Sequence, residues 1–100
     1  MVVGVGIVDI FIIESRSLKE KRSILRRIIK RTQNKFNISI AEVGAQDSWK
    51  RARIGFSVIG NDRGFVNSMM DAVMRYIEEL GLADIVNTDM EIISFADAVG

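Results

Sequence analysis

"RARIGFSVIG", residues 51 to 60, decides the fold. Ala52, Ile54, Phe56 and Val58 alternate with Arg51, Arg53, Gly55 and Ser57. A period of two puts the first set on a core face and the second on a polar one, as in a half-buried strand. The strand reads from Trp49 to Gly60 and needs a partner on each side and a layer over its apolar face.

Both are found by working outward. Upstream, Asn37 to Val43 reads as a strand, and Gly44 to Ser48 as the turn that makes the two a hairpin. Before it, Ser17 and Glu20 form an S-x-x-E capping box for a helix from Leu18 to about Lys35. Ile24, Leu25, Ile28, Ile29, Thr32 and Phe36 give that helix one apolar stripe. Residues 2 to 13, rich in Val and Ile without helical spacing, read as the first strand. Downstream, Asn61 and Asp62 start a second helix whose stripe is Val66, Met69, Met70, Val73, Ile77 and Leu80, and Gly81 fits its C-cap. Ile85 to Phe95 reads as the last strand, with weaker alternation. The order βαββαβ predicts a ferredoxin-like α+β fold over residues 1–100: a four-stranded antiparallel sheet, first and third strands central, with both helices on one face.

Composition narrows the chemistry. With 48% apolar and 27% charged residues the chain is of ordinary globular character. It has neither Cys nor His, so it lacks a nucleophilic thiol, the commonest general base and the commonest metal ligand. The longest apolar run, Ile10 to Ile13, cannot span a membrane, and Asp9 interrupts any leader-like stretch. A cytoplasmic protein with no membrane partner and no cofactor is expected. The glycines of "GVGIVD" (4–9) lie inside a strand with no helix directly after them, so they are not a phosphate loop. The carboxylates Asp62, Asp71, Glu78, Glu79, Asp84 and Asp89 are scattered and read as surface.

The net charge of +1 conceals a strong asymmetry. Residues 16 to 35 carry nine Lys and Arg against the single acid Glu20, +8 in all, which leaves −7 for the other eighty residues. Such asymmetry creates a local field able to attract an anion. At about 100° per residue, Lys19, Arg26 and Lys30 fall opposite the apolar stripe, with Arg22 and Arg27 flanking. Two readings stand level: phosphate binding, with Arg16 and Lys21 joining at the helix start, and a merely solvated face. Lys21 itself points with Ile24, Leu25 and Ile28 toward the sheet, which favours a stem lying along the core edge and an ammonium reaching water or a carboxylate.

Ile7, Phe11, Trp49, Arg51 and Arg53 are placed on the sheet face that the helices leave open. Aromatics and Arg on an open sheet are how RNA-recognition modules stack bases, but Phe56 falls in the core series here, against that arrangement. The plainer reading pairs Asp9 with Arg51 or Arg53 and covers Ile7, Phe11 and Trp49 with a second subunit, since the first strand is apolar on both faces.

At Ser17-Leu18-Lys19-Glu20-Lys21-Arg22 the chain resembles the bacterial YlxP-like family, and the likeness continues through Phe36-Asn37, Ala41-Glu42-Val43, Asp47 and Arg51-Ala52. It departs at Ile13, where the family often has Pro, and at Lys50, where it often has Gln. The resemblance implies a ferredoxin-like fold and a gene often found beside those for ribosome-binding factor A and translation initiation factor two. It implies no activity and no site residues. Three function classes therefore stand: an RNA- or ribosome-associated protein using the basic helix, a homodimeric scaffold or interaction module using the open sheet face, and, last, an enzyme, for which no constellation is visible.

Overall fold

A computed structural model of the chain describes residues 1–95. The elements follow the order β1 (Val2–Ile12), α1 (Leu18–Lys35), β2 (Ser39–Gly44), β3 (Arg51–Gly60), α2 (Arg63–Glu79) and β4 (Ala83–Ser94). The sheet order is β2-β3-β1-β4 and every pair is antiparallel, the expected ferredoxin-like arrangement with β1 and β3 in the middle. Along β1 the even positions face the helices and the odd positions face outward, so the odd residues from Val3 to Phe11 form the centre of an open face.

Several of the expected strand boundaries shift by one or two residues, and for the starts of β2 and β3 the reason is local. β2 starts at Ser39 rather than Asn37, because Phe36 leaves the helix in an extended conformation and Ile38 N–H turns back to the Phe36 carbonyl. β3 starts at Arg51 rather than Trp49, because the Ser48 hydroxyl accepts from the backbone N–H groups of Lys50 and Arg51 and bends residues 48 to 50 into a turn. β4 starts at Ala83 rather than Ile85 and ends at Ser94. A bulge between the partners of Asp9 and Ile10 leaves Val86 unpaired. Inward positions therefore change from Ala83 and Ile85 to Thr88, Met90 and Ile92, all on the side of β1's even residues. No single alternation runs through β4, which is why its sequence signal is weak.

Both helices begin at the expected caps. Ser17 Oγ accepts from Glu20 N–H at 3.1 Å while the Glu20 carboxylate accepts from the backbone N–H of Arg16, and Asp62 caps α2 through Phe65 N–H. Gly81, at φ +71, ends the chain's passage out of α2. The core joins the inner sheet face to the two apolar stripes. Val8, Ile10, Ile54, Phe56, Ile28, Val66, Met70, Val73 and Ile77 are all buried in it.

The glycines of β1 serve this packing. A Cβ on Gly6 would lie 2.5 Å from Phe56 Cε1, and one on Gly4 would collide with Met70 Sδ and Val66 Cγ1. Gly6→Ala should therefore displace the Phe56 ring and cost about 1–3 kcal/mol, the usual penalty of overpacking, read as a lower urea midpoint with an unchanged slope.

Candidate functional site

The basic helix presents its charge almost entirely to solvent. Of the nine Lys and Arg between residues 16 and 35, Arg16, Lys19, Arg22, Arg26, Arg27, Lys30, Arg31 and Lys35 are exposed, and only Lys21 is buried. Among the described residues none of the eight exposed cations forms an ion pair. At 1.5 Å per residue, Lys19, Arg22, Arg26 and Lys30 make a ridge of roughly 16 Å, with Arg27 beside it. The single acid of the segment, Glu20, is occupied in capping the helix start, its carboxylate accepting from the Arg16 N–H, so it does not neutralise the ridge. At the flank of the ridge, Arg22 and Arg26 line a shallow cleft with Leu25, Ile29 and Glu42, where α1 lies beside β2.

Lys21 is not part of that ridge, which corrects its inclusion among the anion-binding residues. Its side chain is 1% exposed, and its Nζ lies 3.0 Å from Glu42 Oε2 and 2.9 Å from the Ala45 carbonyl oxygen. The stem covers the core edge, and the ammonium goes to a carboxylate rather than to water. Ala45 has φ +59, the left-handed region that a residue with a Cβ adopts at a cost, and its carbonyl also accepts from Ser48 N–H. Lys21 thus fastens the N-terminal turn of α1 to the β2–β3 turn. A buried ammonium with these partners is not available to a phosphate. Glu42 and Ala45 escape a reading that looks for ligands. The signal for Glu42 is its place two residues after the buried Ile40, on β2's inward face.

On the open sheet face the expected residues divide. Ile7, Phe11, Arg51 and Arg53 share it, with Arg51 opposite Phe11 and Arg53 opposite Asp9. Asp9 takes Arg53, not Arg51: Nε donates to Oδ1 at 2.7 Å and Nη2 to Oδ2 at 3.2 Å. The Arg53 guanidinium holds the Asp9 carboxyl below the usual carboxylate range, so this pair's support is fully present above that range and is lost as pH falls through the lowered value. Trp49 stands off the strand in the turn, 45% exposed. Lys50 reaches back over it, its Nζ 5.0 Å from the Trp49 ring centroid and 5.7 Å from that of Phe11. Phe56 faces the core, so this sheet does not offer the outward third-strand aromatic of a base-stacking platform.

Among the described residues no group of three or more carboxylates is gathered in a way that would hold a metal ion. No helix among them is long and apolar enough to cross a membrane.

The comparisons with known proteins fit this architecture. The family model described as "Protein of unknown function (DUF503)" matches residues 3–90. A relative from Bacillus subtilis (strain 168), "Uncharacterized protein YlxP", is 38% identical over 76 residues, covering 76% of this chain and 83% of that one. Two solved structures share the fold at low identity. The structural-genomics protein YJCS matches with a TM-score of 0.53 at 8% identity over 92% of this chain and 99% of its own. The de novo designed protein Foldit4 matches with a TM-score of 0.51 at 12% identity over 96% of this chain and 100% of its own. At such identities the likeness concerns the fold alone.

Proposed function

The chain belongs to the DUF503 family, and we propose that it is a small RNA-binding protein whose α1 ridge lies along the phosphates of structured RNA, with a ribosomal subunit the first such RNA to test. Lys19, Arg22, Arg26, Arg27 and Lys30 make the phosphate contacts and Arg16 extends them at the helix start. The observation that carries this reading is the absence of acidic partners on the ridge: among the described residues its exposed cations form no ion pair. A helix face made only for solubility mixes both signs, because neighbouring opposite charges add a few tenths of a kcal/mol per pair and limit self-repulsion. Eight exposed cations in one segment, without an ion pair among the described residues, support a polyanion site instead. The ribosomal context implied by the family resemblance agrees with an RNA partner. The reading includes no catalytic step and no cofactor, and it places the protein in the cytoplasm.

Contacts of this kind position a protein without reading bases, so binding should be only weakly sequence-specific. Three to five phosphates correspond to a log–log salt slope on the order of −2 to −4. Titration of labelled duplex RNA should show that slope for the natural chain. The triple variant Arg22→Glu, Arg26→Glu, Lys30→Glu should bind at least a hundredfold more weakly and melt within a few degrees of the natural chain, because all three side chains are exposed and off the apolar stripe. A natural chain with no RNA affinity at low salt would leave the ridge as a dock for an acidic protein or a solubility device.

A further inference from the structure

The sheet face opposite the helices carries a charge pattern that fits a second copy of itself. Its middle column, on β1, is Val3, Val5, Ile7, Asp9 and Phe11. Beside it, β3 turns Arg51 and Arg53 outward, with no acid in its column. On the other side, β4 turns out Asp84, Asn87, Asp89 and Glu91, with no base in its column. Apolar side chains stand uncovered among them: Val5 is 40% exposed, Ile59 67% and Ile93 38%. The face is thus positive along β3, negative along β4 and largely apolar on β1 between them, where Asp9 is already held by Arg53; β2, beyond β3, turns out the uncharged Ser39 and Ala41.

We propose that two copies of the chain stack these faces about a two-fold axis running parallel to β1. That operation lays β3 of one copy over β4 of the other at equal height along the strands. Arg51 and Asp84 both stand level with Phe11, so each Arg51 faces the other copy's Asp84. Arg53 stands level with Asn87, next to Asp89, both being set by the register with Asp9 and Ile7. A two-fold axis at right angles to the strands would instead set β3 on β3 and β4 on β4, with like charges in each column. The polarity of the face therefore selects the first arrangement. It also satisfies the rule of a two-fold interface that each contact occurs twice.

The area suffices. The three strands that overlap, β1, β3 and β4, of 11, 10 and 12 residues, at about 4.8 Å between strands and about 3.3 Å per residue, give a footprint of roughly 520 Å². The accessible surface of a corrugated face exceeds its footprint, which brings it near the roughly 800 Å² per partner of a standard interface. Sheets stacked this way lie about 10 Å apart, and both basic helices stay on the outside of the pair. The inference is independent of the RNA reading, which needs only α1.

Sedimentation of the full chain decides it. The natural chain should sediment as a dimer at tens of micromolar. Ile7→Glu, at the centre of the face, should raise the dimer dissociation constant at least a hundredfold while leaving the circular dichroism and RNA affinity of the monomer intact. Arg51→Glu and Asp84→Arg should each weaken the dimer about tenfold or more, and the two together should restore most of the loss. A natural chain that is monomeric near millimolar concentration overturns the proposal. So does a dimer that survives Ile7→Glu, or a double variant no tighter than either single.

Discussion

Phe56→Ala should lower the unfolding free energy by about 3–5 kcal/mol, the cost of emptying a buried aromatic site that neighbouring atoms refill only in part. Phe56 is 3% exposed on the inward face of β3 and occupies the space that the missing Cβ of Gly6 leaves against β1. Because β3 pairs with both β1 and β2, its inner side chains are framed by strands on each side and the void cannot close by a strand sliding inward. Equilibrium urea unfolding measures the loss. A value below about 1 kcal/mol, ordinary for a surface change, would mean that Phe56 does not face the core and that the register of β3 is displaced by one residue.

Lys21→Met should cost about 3 kcal/mol, although it replaces a charged side chain with an apolar one of similar length. The change leaves Glu42 Oε2 without the ammonium 3.0 Å away and the Ala45 carbonyl without a donor. Removing one member of a buried ion pair typically costs 3–5 kcal/mol. The 22% exposure of the Glu42 side chain, which keeps some access to water, sets the value at the lower end. Lys21→Met combined with Glu42→Leu should recover most of the loss, since removing both charges leaves no uncompensated carboxylate. Lys21→Met as stable as the natural chain would contradict the pair. The consequence reaches the proposed function, because this pair and the Ala45 bond fix the start of α1, and with it the basic ridge, against the β2–β3 turn.

The elements legible in the sequence were those whose local chemistry and tertiary environment agree. Ser17 with Glu20 and Asp62 with Phe65 cap helices as their residue types suggest, and Ala52 to Val58 alternate as a strand beneath two helices must. The weak signal of β4 has a definite cause: a single bulged residue, Val86, inverts the inward parity part-way along, so neither part supports the other's reading. The alternation that would place Trp49 on the open face ends at Arg51, because the Ser48 hydroxyl turns the chain just before it. For the candidate site, the exposure of the ridge followed from helical geometry alone. That Lys21 belongs to the core edge was legible in its angle, but its partners were not, because Glu42 and Ala45 lie more than twenty residues away on a hairpin whose placement depends on the whole sheet. The charge polarity of the open face was hidden for the same reason. Arg51 and Asp84 are brought level only by their separate pairings with β1.

Mapping backbone amide shifts while duplex RNA is added at low salt tests whether the α1 ridge is a polyanion site. The largest changes should fall on residues 16 to 31, saturate together, and disappear in step as salt is raised. The amides of Ile7, Phe11, Arg51 and Arg53 should stay nearly fixed. Changes concentrated on those sheet residues, or none anywhere at low salt, would contradict it.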